Sequence, residues 1–189
     1  MPSEDVVAVL TAEHDVCRNR LEAALAALMA AATGAPQTAE TGLTEAWSLL
    51  LFLEHELETH IAKEEGPLFP RLKAAMPAGD RLIDEMVAEH DLIRIKRGDV
   101  RDLLAEILGG HDDLRLDRAA LRAALGQTRH APATLAHIQQ AVETVDSKLR
   151  VHFENEEELV FPLAPELLSA DELDQVAAEM AAIGDPAAA

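Results

Sequence analysis

Eleven residues occur in two related copies, 92 positions apart. The first is His60-Ile-Ala-Lys-Glu64-Glu-Gly-Pro-Leu-Phe69-Pro70 and the second His152-Phe-Glu-Asn-Glu156-Glu-Glu-Leu-Val-Phe161-Pro162. Each has a His, a Glu four residues later, and Phe-Pro nine and ten residues after the His. On a helix, residues four apart share a face, with Cβ atoms about 5–6 Å apart. An imidazole and a carboxylate so placed can reach one metal ion or one pair of ions. Two such helices facing each other offer two nitrogens and two carboxylates to a shared centre.

Apolar periodicity puts both copies on buried faces. A helix starting near Thr41 carries the stripe Leu43, Ala46, Leu50, Leu53, Leu57, His60, Glu64, and one starting near Ala133 carries Ile138, Val142, Val145, Leu149, His152, Glu156, Leu159. Both are the three-four spacing of an amphipathic helix. Pro67 and Pro70 are expected to kink or break the earlier one.

Two further helices precede these. Ser3, Glu4 and Asp5 make a helix start, followed by Val7, Leu10, His14, Cys17, Leu21, Leu25 and Leu28, with an end at Thr33-Gly-Ala-Pro. Asp80 caps the other, whose stripe is Ile83, Met86, His90, Ile93, Arg97, Val100, Leu104 and Ile107, before Gly109-Gly110 stops it. A short surface helix is expected between His111 and Pro132. Ser169-Ala-Asp-Glu172 reads as a capping box opening a last helix with Leu173, Val176, Met180 and Ile183.

Glu13-His14-Asp15 and Glu89-His90-Asp91 also match each other. The chain therefore reads as two helical hairpins. Each gives one His from its first helix and a His plus Glu from its second. Helix rise tests whether these meet. At 1.5 Å per residue, His14 to its helix end and Leu43 to His60 are about 27 and 26 Å. His90 to its helix end and Ala133 to His152 are about 27 and 29 Å. Four His and two Glu thus fall in one layer of an up-down-up-down bundle, a usual place for metal sites.

A lone His on an apolar face is more often a core residue bonded to a neighbour than a ligand. Six ionisable groups in one buried layer are another matter, because such a layer is costly without compensating charge. Metal ions supply that charge. Imidazole with carboxylate suits iron, manganese or zinc, and iron is the preferred reading. Glu56, one turn before His60, is a candidate extra ligand, a group orienting His60, or a member of a surface helix pair. Glu65 and Glu157 are weaker cases of the same kind. His55 should point outward, His137 should sit at a boundary, Arg97 should line a pocket or reach solvent, and Cys17 should be a small core residue.

Composition narrows the class. A net charge of −19 opposes binding to nucleic acid or an anionic membrane, both of which attract basic surfaces. One cysteine, Cys17, permits no internal disulfide. The acidic N-terminus lacks signal-peptide character. The longest apolar run, Ala23 to Ala32, is too short to span a bilayer. A cytoplasmic location is the expectation.

His14, His60-x-x-x-Glu64, His90 and His152-x-x-x-Glu156, with Phe-Pro after each pair, resemble the hemerythrin-like proteins, or HHE cation-binding domains. The resemblance covers about residues 4–165. It implies an all-α, up-down-up-down four-helix bundle within a single domain over 1–189, here with the short helix in the third connection and the extra C-terminal helix at about 169–183. It also implies two iron ions, with an oxo or hydroxo bridge. His14 and His60 would serve one iron, His90 and His152 the other, and Glu64 and Glu156 would bridge.

The chain departs from the oxygen-carrying hemerythrins. Arg94 stands where they place a second His, four residues after the first, on the third helix, and Glu157 where they place an Asp. One imidazole fewer leaves coordination open. That favours reaction with O2, H2O2 or NO over simple reversible oxygen carriage. Ferritin-like sites use Glu-x-x-His, and no His here has a Glu three residues before it. With no Tyr, a tyrosyl radical is excluded. The expected function is a non-haem di-iron protein that binds or reacts with small oxygen or nitrogen species. The alternatives are a peroxide- or nitric-oxide-detoxifying oxidoreductase (catalase-like, peroxidase-like or NO-reducing) and an iron storage or sensing protein.

Overall fold

The computed structural model describes residues 5–33, 36–78, 81–107 and 132–183, and among these every regular element is helical. The order is α1 (Val6–Thr33), α2 (Pro36–Lys63), a π-helical turn (Glu64–Leu68), α3 (Phe69–Ala75), α4 (Leu82–Ile107), α5 (Pro132–Asn155), a second π-helical turn (Glu156–Val160), α6 (Leu163–Leu167) and α7 (Ala170–Ile183). None of the helices among the described residues is long and apolar enough to cross a membrane. The caps expected at Ser3 and Asp80, the stop at Gly109-Gly110 and the short helix expected between His111 and Pro132 fall outside the described residues.

One feature is added to the sequence reading and two local readings are corrected. Asp5 caps α1, its carboxylate accepting the backbone N–H groups of Val7 and Ala8 at 3.1 and 3.5 Å. Helix α2 begins at Pro36 rather than near Thr41. Proline fits a first helical position because the N–H it lacks has no partner there. Pro67 does not break the chain's helical course: it lies inside the first π-helical turn, where the Phe69 N–H donates to the Glu64 carbonyl five residues back. The second copy repeats this bond, Phe161 N–H to Glu156 carbonyl, at 2.7 Å.

The chain forms two compact units, each built from parts of α1, α2, α4 and α5. One comprises 18–54 and 93–148. Its buried residues continue the stripes: Leu21 and Leu28 of α1, Leu43, Leu50 and Leu53 of α2, Val100 of α4 and Val142 of α5. Gly42 lets α1 and α2 approach closely, since a Cβ there would lie 2.7 Å from the Cβ of Ala31. Arg97 is half-buried and donates to the Leu53 carbonyl at 2.9 Å.

The other unit comprises 1–17, 55–92 and 149–189 and carries all six predicted site residues. A buried apolar cluster gathers Val6 and Leu10, which precede His14, with Leu68, Phe69 and Leu72, which follow Glu64. It adds Ile83 and Met86, which precede His90, and Val160, Phe161 and Ala164, which follow Glu156. Val176 and Met180 of α7 complete this plug. The capping box at the start of α7 forms as read. The Ser169 backbone N–H donates to the Glu172 carboxylate at 2.8 Å, and the Glu172 N–H donates to the Ser169 hydroxyl at 3.3 Å. Arg71 holds α7 from outside through both oxygens of Glu179, at 3.0 and 2.8 Å.

Candidate metal centre

His14, His60, Glu64, His90, His152 and Glu156 are all buried, at 0 to 4% exposure. The structure brings them into two groups that could each hold a metal ion. One is His14, His60, Glu64 and Glu156, and the other Glu64, His90, His152 and Glu156. Both carboxylates belong to both groups.

The distances show how the sharing works. Glu64 turns one oxygen to His60 Nε2 and the other to His90 Nε2, each at 3.3 Å. Glu156 turns one oxygen to His14 Nε2 at 3.3 Å and the other to His152 Nε2 at 3.1 Å. The Nε2 atoms of His14 and His60 are 3.0 Å apart. Two nitrogens held about 2.1 Å from one ion at a right angle would be separated by about 3.0 Å.

The donor set fits cations. Both oxygens of Glu64, both of Glu156, and Nε2 of His90 and His152 are buried without a hydrogen-bond partner. Buried polar atoms are normally satisfied, so this cluster calls for a ligand. Imidazole nitrogen with carboxylate oxygen suits iron, manganese or zinc. Burial pushes the pKa of His60 down, yet Glu64, Glu13 and Glu156 raise it to about 10. Burial acts the same way on His90, where Glu156 and Glu64 prevail and also give about 10. Burial alone would raise Glu156, but His14, His152 and His90 hold it well below the ordinary carboxylate range.

Each imidazole is anchored on its far side. Nδ1 of His60 pairs with Glu13 at 2.9 Å, His152 with Glu89 at 2.9 Å, His90 with Glu65 at 2.8 Å and His14 with Glu157 at 2.7 Å. A carboxylate on Nδ1 fixes the tautomer that leaves Nε2 to a metal. The phenyl rings of the Phe-Pro pairs cross over in the same way. Phe69 stacks on His90 with ring centroids 5.8 Å apart, and Phe161 on His14 at 5.4 Å. Phe153 covers the same His14 ring at 3.9 Å.

Glu56, the candidate extra ligand, is exposed and belongs to neither group. The inward line of α2 runs through Leu53, Leu57, His60 and Glu64, and Glu56 lies beside it. The carboxylate that orients His60 is Glu13. Glu65 and Glu157 touch imidazoles rather than joining either group. Glu13 and Glu89 received no role from the sequence, although the repeated Glu-His-Asp marked them. His55 and His137 are exposed, and Cys17 is buried. Leu159, placed on the inward stripe, is 51% exposed, and Val160 is buried instead. A turn bonded five residues back takes an extra residue, so the inward position slips by one.

No curated protein and no solved structure matches the chain. A family model does match: the hemerythrin HHE cation binding domain, over residues 5–110. That span takes in His14, His60, Glu64 and His90, while His152 and Glu156 lie beyond it. With more than half its length matched, and with a buried His and Glu cluster fit for cations, the chain belongs to the hemerythrin HHE cation-binding family.

Proposed function

We propose that this chain is a non-haem di-iron protein that reacts with small oxygen or nitrogen species, O2, H2O2 or NO. His14 and His60 would hold one iron, His90 and His152 the other, and Glu64 and Glu156 would bridge. The observation carrying this reading is the pair of buried carboxylates, each with one oxygen toward each His pair and none of the four oxygens satisfied. The fold read with it is an up-down-up-down four-helix bundle in a single domain. In support, the plug residues precede the site in α1 and α4 and follow it in α2 and α5.

When bound, a pair of irons supplies reversible change of oxidation state and a Lewis-acidic contact for a small oxidant. The protein's part is to hold and to exclude. Four carboxylates fix the imidazole rings, and Phe69, Phe153 and Phe161 shield them from water. Near-complete burial admits only small molecules. It also favours a resident metal over an iron cargo that is loaded and released. A cavity of about 480 Å³ is lined by Glu157 and Phe161, both of which touch the His14 ring.

Elemental analysis with an ultraviolet-visible spectrum of the same sample tests the proposal. About two irons per chain with near-ultraviolet charge-transfer bands is the expected result. Consumption of H2O2 or NO, assayed at matched iron content, then separates turnover from binding alone. One zinc per chain, or no metal after iron-replete expression, would overturn the redox reading.

A further inference from the structure

The two halves of the centre correspond residue for residue. Glu13 matches Glu89, His14 matches His90, Arg18 matches Arg94, His60 matches His152, Glu64 matches Glu156, Glu65 matches Glu157, and Phe69 matches Phe161. At one position that touches the site the correspondence fails. Lys63 stands three residues after His60, where Asn155 stands three residues after His152.

Both side chains reach the equivalent carboxylate. The Lys63 ammonium donates to Oε1 of Glu13, whose Oε2 holds His60 Nδ1 at 2.9 Å. The Asn155 amide approaches Oε1 of Glu89 at 3.5 Å, and the other oxygen of Glu89 holds His152 Nδ1 at 2.9 Å. One relay thus ends in a full positive charge and the other in a neutral amide at long range. Lys63 is only 13% exposed. At that burial, water screens its charge less than at an exposed site. The charge of the two motifs sharpens the contrast: the first carries Lys63, Glu64 and Glu65, net −1, while the second carries Glu154, Glu156, Glu157 and Glu158, net −4.

We propose that Lys63 makes the two metal positions unequal, so that a cation binds more weakly at His14 and His60 than at His90 and His152. The inference rests on the two-metal reading above. Two effects act in the same direction. The ammonium repels a cation in the adjacent position directly. It also draws charge from Glu13, which weakens that carboxylate's pull on the His60 Nδ1–H and makes Nε2 a poorer donor. His152, on Glu89, keeps the stronger donor. Lys63 is a positioning and tuning residue, since it acts on the metal through Glu13 and His60.

The test is an anaerobic titration of the metal-free full chain with Co(II), followed by visible absorption and calorimetry. The wild type should bind two ions in two resolved steps. Lys63→Gln keeps the reach but removes the charge, and should tighten the weaker step by about tenfold or more, bringing the steps together. Lys63→Arg should restore two separated steps, which a loss of packing alone would not. Asn155→Lys should weaken the tighter step by a similar factor, which localises it to the Glu89 and His152 side. Two ions binding in the wild type with indistinguishable affinity, or steps unmoved by Lys63→Gln and Asn155→Lys, would overturn this inference and leave the two-metal reading standing. A total of one ion per chain would overturn both.

Discussion

Glu65, the residue after Glu64 on the first π-helical turn, accepts a hydrogen bond from Nδ1 of His90 on α4 at 2.8 Å. Glu157, the residue after Glu156, does the same for His14 on α1 at 2.7 Å. Each Glu-Glu pair therefore offers one carboxylate to the buried cluster and uses the next to aim a His on another helix, α4 or α1. Glu65→Ala and Glu157→Ala should each lower metal affinity by roughly 10–100-fold, the usual cost of losing such a partner. Glu56→Ala should leave it unchanged. Competition with a chelator of known affinity measures all three.

His60→Ala and His152→Ala should each lose bound metal and much of the thermal stability, because metal binding energy is also folding energy. His55→Ala, altering an exposed ring on the same helix as His60, should do neither. Metal content and unfolding temperature on the same samples decide the matter. Full metal content in both ligand variants would remove these two residues from the site.

Without metal, the folded protein should weaken as pH rises. His60 and His90 have pKa values of about 10, raised from an ordinary 6.5. A raised folded pKa contributes stability that is fully present below about 6.5 and is lost as pH climbs through about 10. The unfolding temperature of metal-free protein should therefore fall across that window. Metal-loaded protein should show less of the fall, since the ion replaces the protons. A flat profile for the metal-free form would contradict the raised values.

Gly42→Ala tests the fold away from the centre. Its Cβ would meet Ala31 Cβ at 2.7 Å and the Ala27 carbonyl oxygen at 3.1 Å. Overpacking of this kind costs about 1–3 kcal/mol. Chemical denaturation should show that loss with metal content per folded chain unchanged.

The convergence of the six buried residues was legible because His and Glu four apart continue apolar stripes, and because matched helix lengths set them at one depth. What the sequence hid depends on how helices approach one another. Glu13 follows no inward stripe of its own helix, and only the placement of α2 beside α1 brings His60 to it. The prolines misled for a similar reason. Pro67 suggested a break, yet a helix can pass a missing N–H by bonding one residue further back. The same winding in the second turn, which holds no proline, set Leu159 outward. Phe-Pro was visible as a repeat, but its purpose, a ring laid on His90 or His14, was not.

The π-helical turns carry a consequence for chain length. Above Glu64, α2 aims Leu57 and His60 inward; below it, Leu68, Phe69 and Leu72 are buried. The extra residue in the turn acts as a phase shifter between a stretch of helix that presents donors and one that supplies the plug. Inserting one further residue between Glu64 and Phe69, with the winding of the turn unchanged, would rotate everything downstream by about 100°. Composition would scarcely change, but Phe69 would leave His90 and the plug would lose its register. Length between Glu and Phe, as much as identity, is what this motif has to keep.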